Sequence, residues 1–231
     1  MAVAGATGLI GRALVLQASA RQGLSAGRRA NVLALVREGR SARSAEQPWP
    51  KGVQSLPVDY ARLGQAEATP LPTIDLALCA LGTTIAVAGS QTAFRAVDLD
   101  AVLAFATAAR AAGAQRLAVV SSMGADANSR VFYNRVKGEA EQALIAMGWP
   151  RLVIARPSLL IGDRAALGQA TRPGELIAQR LAPALAWLTP RRLRPIAADI
   201  VARAMWRAVM ADGPAVQLLL NDELQRLGQG N

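Results

Sequence analysis

Residues 1–21 read MAVAGATGLIGRALVLQASAR, and their order decides the fold. A short apolar run, Met1–Ala4, enters GATGLIG, a G-x-x-G-x-x-G, and this opens into an apolar pattern of helical spacing over Leu9–Arg21. Strand, glycine turn and helix in that order form the first unit of a dinucleotide-binding domain. Gly5 permits the tight turn, Gly8 lets backbone approach a pyrophosphate, and Gly11 lets the helix pack on the strand. The turn and first helical residues, Thr7, Gly8, Leu9 and Ile10, then offer backbone N–H groups and the positive end of a helix dipole to phosphate. Only Met1–Ala4 precede Gly5, fewer than the about five or six residues of a usual strand. The expectation is therefore a clipped first strand and a natural start somewhat upstream.

Outward from this unit, apolar runs alternate with helical patterns. The strands read are Met1–Ala4, Val32–Val36, Val53–Val58, Asp75–Leu81, Leu117–Ser121, Leu152–Ala155 and Val216–Leu220. Between them fall helices near Leu9–Arg21, Gln91–Ala112, Val131–Met147, Glu175–Trp187 and Ala198–Met210. The rhythm predicts an α/β fold, a doubly wound parallel sheet of Rossmann-like type, with residues 1–231 as one domain. After Pro157 the rhythm stops, and residues 158–195 turn rich in Gly, Pro and Arg. That segment is expected to cap the carboxyl edge of the sheet on the substrate side.

Composition excludes several chemistries. The chain has no histidine and a single cysteine, Cys79, which removes Ser-His-Asp triads, internal disulfides and the commonest zinc ligand, so no metal site is expected. Charges interrupt every long apolar run, so no membrane span is read. The first 20 residues lack a basic n-region and carry Arg12 in the apolar stretch, which argues against a secretory signal and for a cytoplasmic protein. The net charge of +10 is spread over dispersed arginines, and aromatics make up only 4%, which argues against a nucleic-acid partner.

The second strand bears on which nucleotide binds. It ends NVLALVREGR, with Arg37 at the strand end and Arg40 and Arg43 behind it. Guanidinium there suits a 2′-phosphate, so NADP(H) is favoured over NAD(H), with Glu38 arguing mildly the other way. The acid-base candidates lie in FYNRVKGEAEQAL, residues 132–144. The chain has two tyrosines, Tyr60 and Tyr133, and two lysines, Lys51 and Lys137, yet one of each stands four residues apart on a helical face. A phenol beside an ammonium becomes a better proton donor and acceptor near neutral pH. Ser121 and Ser122 end the preceding strand, where a hydroxyl can bond a substrate carbonyl.

Taken together, GATGLIG, the paired serines and YNRVK resemble the short-chain dehydrogenase/reductase superfamily over nearly the whole chain. The chain is similar in particular to the atypical branch that contains the Tat-interacting protein and its bacterial relatives. That likeness rests on LGTT (81–84), FRAVD (94–98), SSMGAD (121–126), YNRVKGEAE (133–141) and RPGE (172–175). The resemblance implies Tyr133 as proton donor, Lys137 also on the nicotinamide ribose, and Ser122 or Ser121 orienting a carbonyl. It further implies Leu81 and Gly82 beside the adenosine, Asp59 near the adenine, and Arg156 and Pro157 beside the nicotinamide. The implied activity is NADP(H)-dependent reduction of a small carbonyl substrate. The alternatives are an NADP(H)-binding regulator without turnover and, third, a nucleotide-sugar epimerase or dehydratase.

Overall fold

The computed structural model describes residues 1–21, 31–38, 48–65, 70–162 and 190–230. The apolar runs become strands β1 (Ala2–Ala4), β2 (Val32–Arg37), β3 (Val53–Val58), β4 (Leu76–Cys79), β5 (Arg116–Val120), β6 (Arg151–Arg156) and, near the carboxyl end, β9 (Val216–Leu220). They form one seven-stranded sheet in the order β3-β2-β1-β4-β5-β6-β9, and every pairing is parallel. This is the doubly wound arrangement, in which the order reverses beside β1 and leaves a crevice at the carboxyl edge. The fourth strand is shorter than the expected Asp75–Leu81, because Ala80 and Leu81 leave the ladder for the loop at the carboxyl edge and Asp75 forms a bend at the opposite edge.

Period-two alternation divides the sheet between two cores. Ala2, Ala4, Leu33, Leu35, Leu117, Val119, Leu152 and Ile154 pack on one side. Val3, Val32, Ala34, Ala118, Val153 and Ala155 pack on the other. Helix α1 (Leu9–Arg21) lies on the second face with the later α6 (Ala198–Met210) and α7 (Asn221–Gln229). Helix α7 was not foreseen: its sequence, NDELQRLGQ, is short and polar, but Glu223 accepts the Leu220 N–H at 2.9 Å and starts it.

The expected single helix Gln91–Ala112 is three pieces. After the short α2 (Ile85–Ala88) come α3 (Gln91–Arg95), a π-helical turn over Ala96–Asp100, and α4 (Ala101–Ala111). The Ala101 N–H bonds the carbonyl of Ala96, five residues back, and the widened turn buries Asp98 and Leu99. Helix α5 (Phe132–Ala146) follows β5. The remaining described elements are a 3-10 turn, Arg191–Leu193, and the two-residue strands β7 (Leu160–Ile161) and β8 (Ile196–Ala197), which pair in parallel at the neck of the 158–195 segment. The expected helix Glu175–Trp187, Arg40, Arg43 and most of that segment lie outside the described residues.

The arginines have structural work at helix ends, where carbonyls are unpaired and the dipole is negative. Arg116 donates to the carbonyls of Val209 and Met210, both at 2.8 Å, and Arg151 to that of Ala208 at 2.6 Å, closing α6. Arg203 and Arg207 donate to Gly228 and Leu227 at 2.7 and 2.5 Å, closing α7, and Arg110 reaches Met147 after α5. Among the described residues, no helix is long and apolar enough to cross a membrane, and no acidic or thiol cluster could hold a metal ion.

Candidate functional site

The glycine turn joins β1 to α1 with the tolerances expected. Gly5 has φ 71°, and a Cβ there would fall 2.5 Å from the carbonyl oxygen of Ala80, so only glycine fits. A Cβ on Gly11 would lie 2.0 Å from the Gly5 oxygen, which fixes how closely helix meets turn. Gly8 differs: its missing side chain would meet only the Gly5 oxygen, at 3.3 Å, and otherwise opens outward. That open side, with Thr7 beside it and the first N–H groups of α1 at Leu9 and Ile10 behind it, fits a pyrophosphate. The Ile10 side chain points into the core, and the Leu9 side chain sits against Gly162 at the neck of the 158–195 segment.

Beneath the turn lies a residue for which the sequence reading had no role. Tyr60, the other tyrosine, is buried. Its hydroxyl accepts the Gly5 N–H at 3.3 Å and donates to the Leu35 carbonyl at 3.4 Å. Burial pushes this phenol well above its ordinary range, only partly opposed by the Gly5 N–H, so it remains a neutral buttress. Its rarity was the one available signal. Nearby Arg37 is exposed at the end of β2, while Asp59 is exposed with one carboxylate oxygen accepting the Ala61 N–H at 2.9 Å.

Tyr133 and Lys137 share a face of α5, as their spacing requires. The Tyr133 ring packs on Phe94, centroids 5.2 Å apart, which fixes its direction. Lys137 is 5% exposed and Asp98 1%, and Lys137 Nζ lies 2.7 Å from Asp98 Oδ1. The other oxygen of Asp98 accepts the Thr83 N–H at 2.8 Å. Burial alone would lower the Lys137 pKa; Asp98, and after it Tyr133, outweigh burial and raise it, so the ammonium stays charged. Gly82 runs beside this pair: a Cβ there would sit 3.4 Å from Asp98 Oδ1 and 3.5 Å from Lys137 Nζ. The Leu81 side chain is in the core, so only its backbone can face a ligand. Asp98 was read only as part of a family motif; an acid inside the apolar stretch AVDLDAVLAF was the signal for a buried partner.

The two serines part company. Ser121 is buried and donates its hydroxyl to Glu141. The Ser122 oxygen is withdrawn from solvent and has no hydrogen-bond partner among the described residues. Glu141 also receives Arg156, whose Nε lies 3.0 and 3.2 Å from its two oxygens and Nη2 2.5 Å from Oε2. Pro157, next in sequence, is buried and its carbonyl accepts the Met123 N–H at 3.0 Å. Asp98, Lys137, Ser121 and Glu141 together line a cavity of about 10 Å³.

A parallel sheet of this order, a glycine turn open at Gly8 and a Tyr-x-x-x-Lys helix beside a strand-end serine define a dinucleotide-binding Rossmann-type protein. Residues 5–179 match the NAD(P)H-binding family, and the chain belongs to it. Over 194 residues it is 32% identical to the rat (Rattus norvegicus) protein HTATIP2, covering 83% of this chain and 76% of that one. It is 44% identical over 117 residues to the Emericella nidulans protein fmp52, which is named as mitochondrial. That match covers 51% of this chain and 48% of the relative, so it spans about half of the fungal protein. Among solved structures, gox2253 superposes with a TM-score of 0.66 at 19% identity, over 95% of this chain and 69% of that one. The Helicobacter pylori ADP-L-glycero-D-manno-heptose-6-epimerase gives 0.66 at 16%, over 94% and 75%. At such identities these two establish the fold alone.

Proposed function

We propose that the chain is an NADP(H)-dependent oxidoreductase that reduces a small carbonyl substrate, with Tyr133 as proton donor. The nicotinamide, when bound, supplies a hydride to the carbonyl carbon. Tyr133 delivers its hydroxyl proton to the carbonyl oxygen, so the product is an alcohol. Lys137, held as an ammonium by Asp98, sets a positive charge beside the phenol and offers donors to ribose hydroxyls. Arg37 at the end of β2 favours the 2′-phosphate, and with it NADP(H) over NAD(H).

The observation that carries this reading is the Ser122 hydroxyl. A buried hydroxyl without a partner is costly. A substrate carbonyl oxygen would satisfy it at the carboxyl edge where Tyr133 also stands. Ser121, committed to Glu141, supplies no such donor.

The test is NADPH oxidation across a panel of aldehydes and ketones. Tyr133→Phe should lose about 10²- to 10⁴-fold in turnover with NADPH affinity unchanged. A variant that reduces a substrate at the wild-type rate would remove Tyr133 from the chemistry. Nucleotide binding with no turnover by the wild type would leave the regulator reading. Fractionation of the source cells separates the cytoplasmic location expected from the sequence from the mitochondrial location in the FMP52 names.

A further inference from the structure

We propose that Glu141 is the positioning residue that sets Ser122 against Tyr133, by tying the ends of two strands to the helix that carries the tyrosine. This rests on the reading of Tyr133, Lys137 and Ser122 as the reactive group.

Tyr133, Lys137 and Glu141 recur at every fourth position of α5 and so descend one face of it. The first two serve the site. The third continues inward, and at 4% exposure its carboxylate needs partners other than water. Among the described residues, its hydrogen-bond partners are Ser121 and Arg156, both off its own helix. Ser121, following the end of β5, donates its hydroxyl to Oε1, and Arg156, at the end of β6, donates Nε to both oxygens and Nη2 to Oε2. One side chain therefore fixes α5, β5 and β6 to one another just below the carboxyl edge.

The residues it holds are the immediate neighbours of those that face a ligand. Ser121 precedes Ser122, and Arg156 precedes Pro157. Two backbone bonds bracket Ser122 at the same level: Ser121 N–H to the Ala155 carbonyl at 2.7 Å, and Met123 N–H to the Pro157 carbonyl at 3.0 Å. A strand end held only by those two bonds could pivot about them. The Glu141 carboxylate adds a third, off-axis anchor that fixes how far the serine stands from the phenol. An apolar filling of the same volume would serve stability about as well as a buried ion pair, but it has no directional bonds. Geometry is the sensitive quantity, since a displacement of about 1 Å can cost about 100-fold in rate.

The test uses the full chain with NADPH and reads amide hydrogen exchange and kinetics together. In Glu141→Ala, the Ser121 and Met123 amides should exchange at least about tenfold faster, while those of Leu14 and Val15 in α1 keep their rates. For any carbonyl the wild type reduces, kcat should fall about 10- to 100-fold with NADPH affinity within about threefold. Glu141→Gln keeps the shape and one acceptor oxygen but turns an amide N–H toward a donor, so its protection and rate should fall between those of Glu141→Ala and the wild type. Should Glu141→Ala fail to fold, Ser121→Ala removes a single anchor and should still speed exchange at Met123. Unchanged exchange at Ser121 and Met123, or an equal acceleration throughout the chain, overturns the proposal. So does a rate loss that merely follows the unfolded fraction. If the wild type reduces nothing, the oxidoreductase reading fails, and the exchange rates still decide the role of Glu141.

Discussion

Asp98→Asn tests the centre of the site, because it removes a charge while keeping shape and an acceptor for the Thr83 N–H. In the native protein the Lys137 pKa lies above its ordinary 10.5, since Asp98 and Tyr133 outweigh burial. A base with a raised folded-state pKa adds stability that is complete below the unfolded value and is lost only as pH rises through the folded value. The Lys137 contribution is therefore constant up to about pH 9. The asparagine leaves Lys137 with burial in control, and its folded-state pKa drops below the unfolded one. The unfolded chain then binds more protons, so stability rises with pH. Removing one partner of a buried pair costs about 3 to 5 kcal/mol, and the retained amide oxygen places this variant at the lower end. Up to about 1.4 kcal/mol per pH unit should return on the alkaline side. Urea unfolding at several pH values, as variant minus wild type, measures both quantities. Adding Lys137→Met should recover stability, because the cost belongs to the unpaired ammonium. A difference that does not vary with pH, or a double variant no more stable than Asp98→Asn, refutes the reasoning.

Arg37→Ala should weaken NADPH binding by about 1.5 to 3 kcal/mol and leave NADH nearly unchanged, by calorimetry with each nucleotide; equal losses would make Arg37 structural. Tyr60→Phe leaves the Gly5 N–H without its phenol partner, which should cost about 1 to 3 kcal/mol of stability and loosen the binding of both nucleotides alike. Unaltered unfolding and binding would mean that the turn stands without its buttress. Cys79 is buried, and burial pushes its thiol up to about 12, so the native protein should not react with a thiol reagent at about pH 8. One equivalent should react after unfolding, and stoichiometric labelling of the native chain would contradict the burial.

The strands, the glycine turn and the Tyr133–Lys137 pair were legible because each is written in local spacing. Alternating apolar runs specify a parallel sheet, Gly5 and Gly11 stand where only glycine fits, and a four-residue interval puts two side chains on one helix face whatever surrounds it. Helix α7 escaped because its pattern is short and polar. The helix over residues 91–112 was read as continuous because a π turn depends on what the widened turn can bury, which no local periodicity records. The partnerships of the site are of the same kind. Glu141 finds Ser121 across 20 residues of chain and Tyr60 finds Gly5 across 55, and a choice between Ser121 and Ser122 could not be made from two identical letters. The sequence by itself determined the strands of the parallel sheet, the glycine turn and the shared face of Tyr133 and Lys137. Tertiary structure decided which buried charge neutralises which, and which hydroxyl is left without a partner, because burial and pairing depend on the elements that fold over a residue.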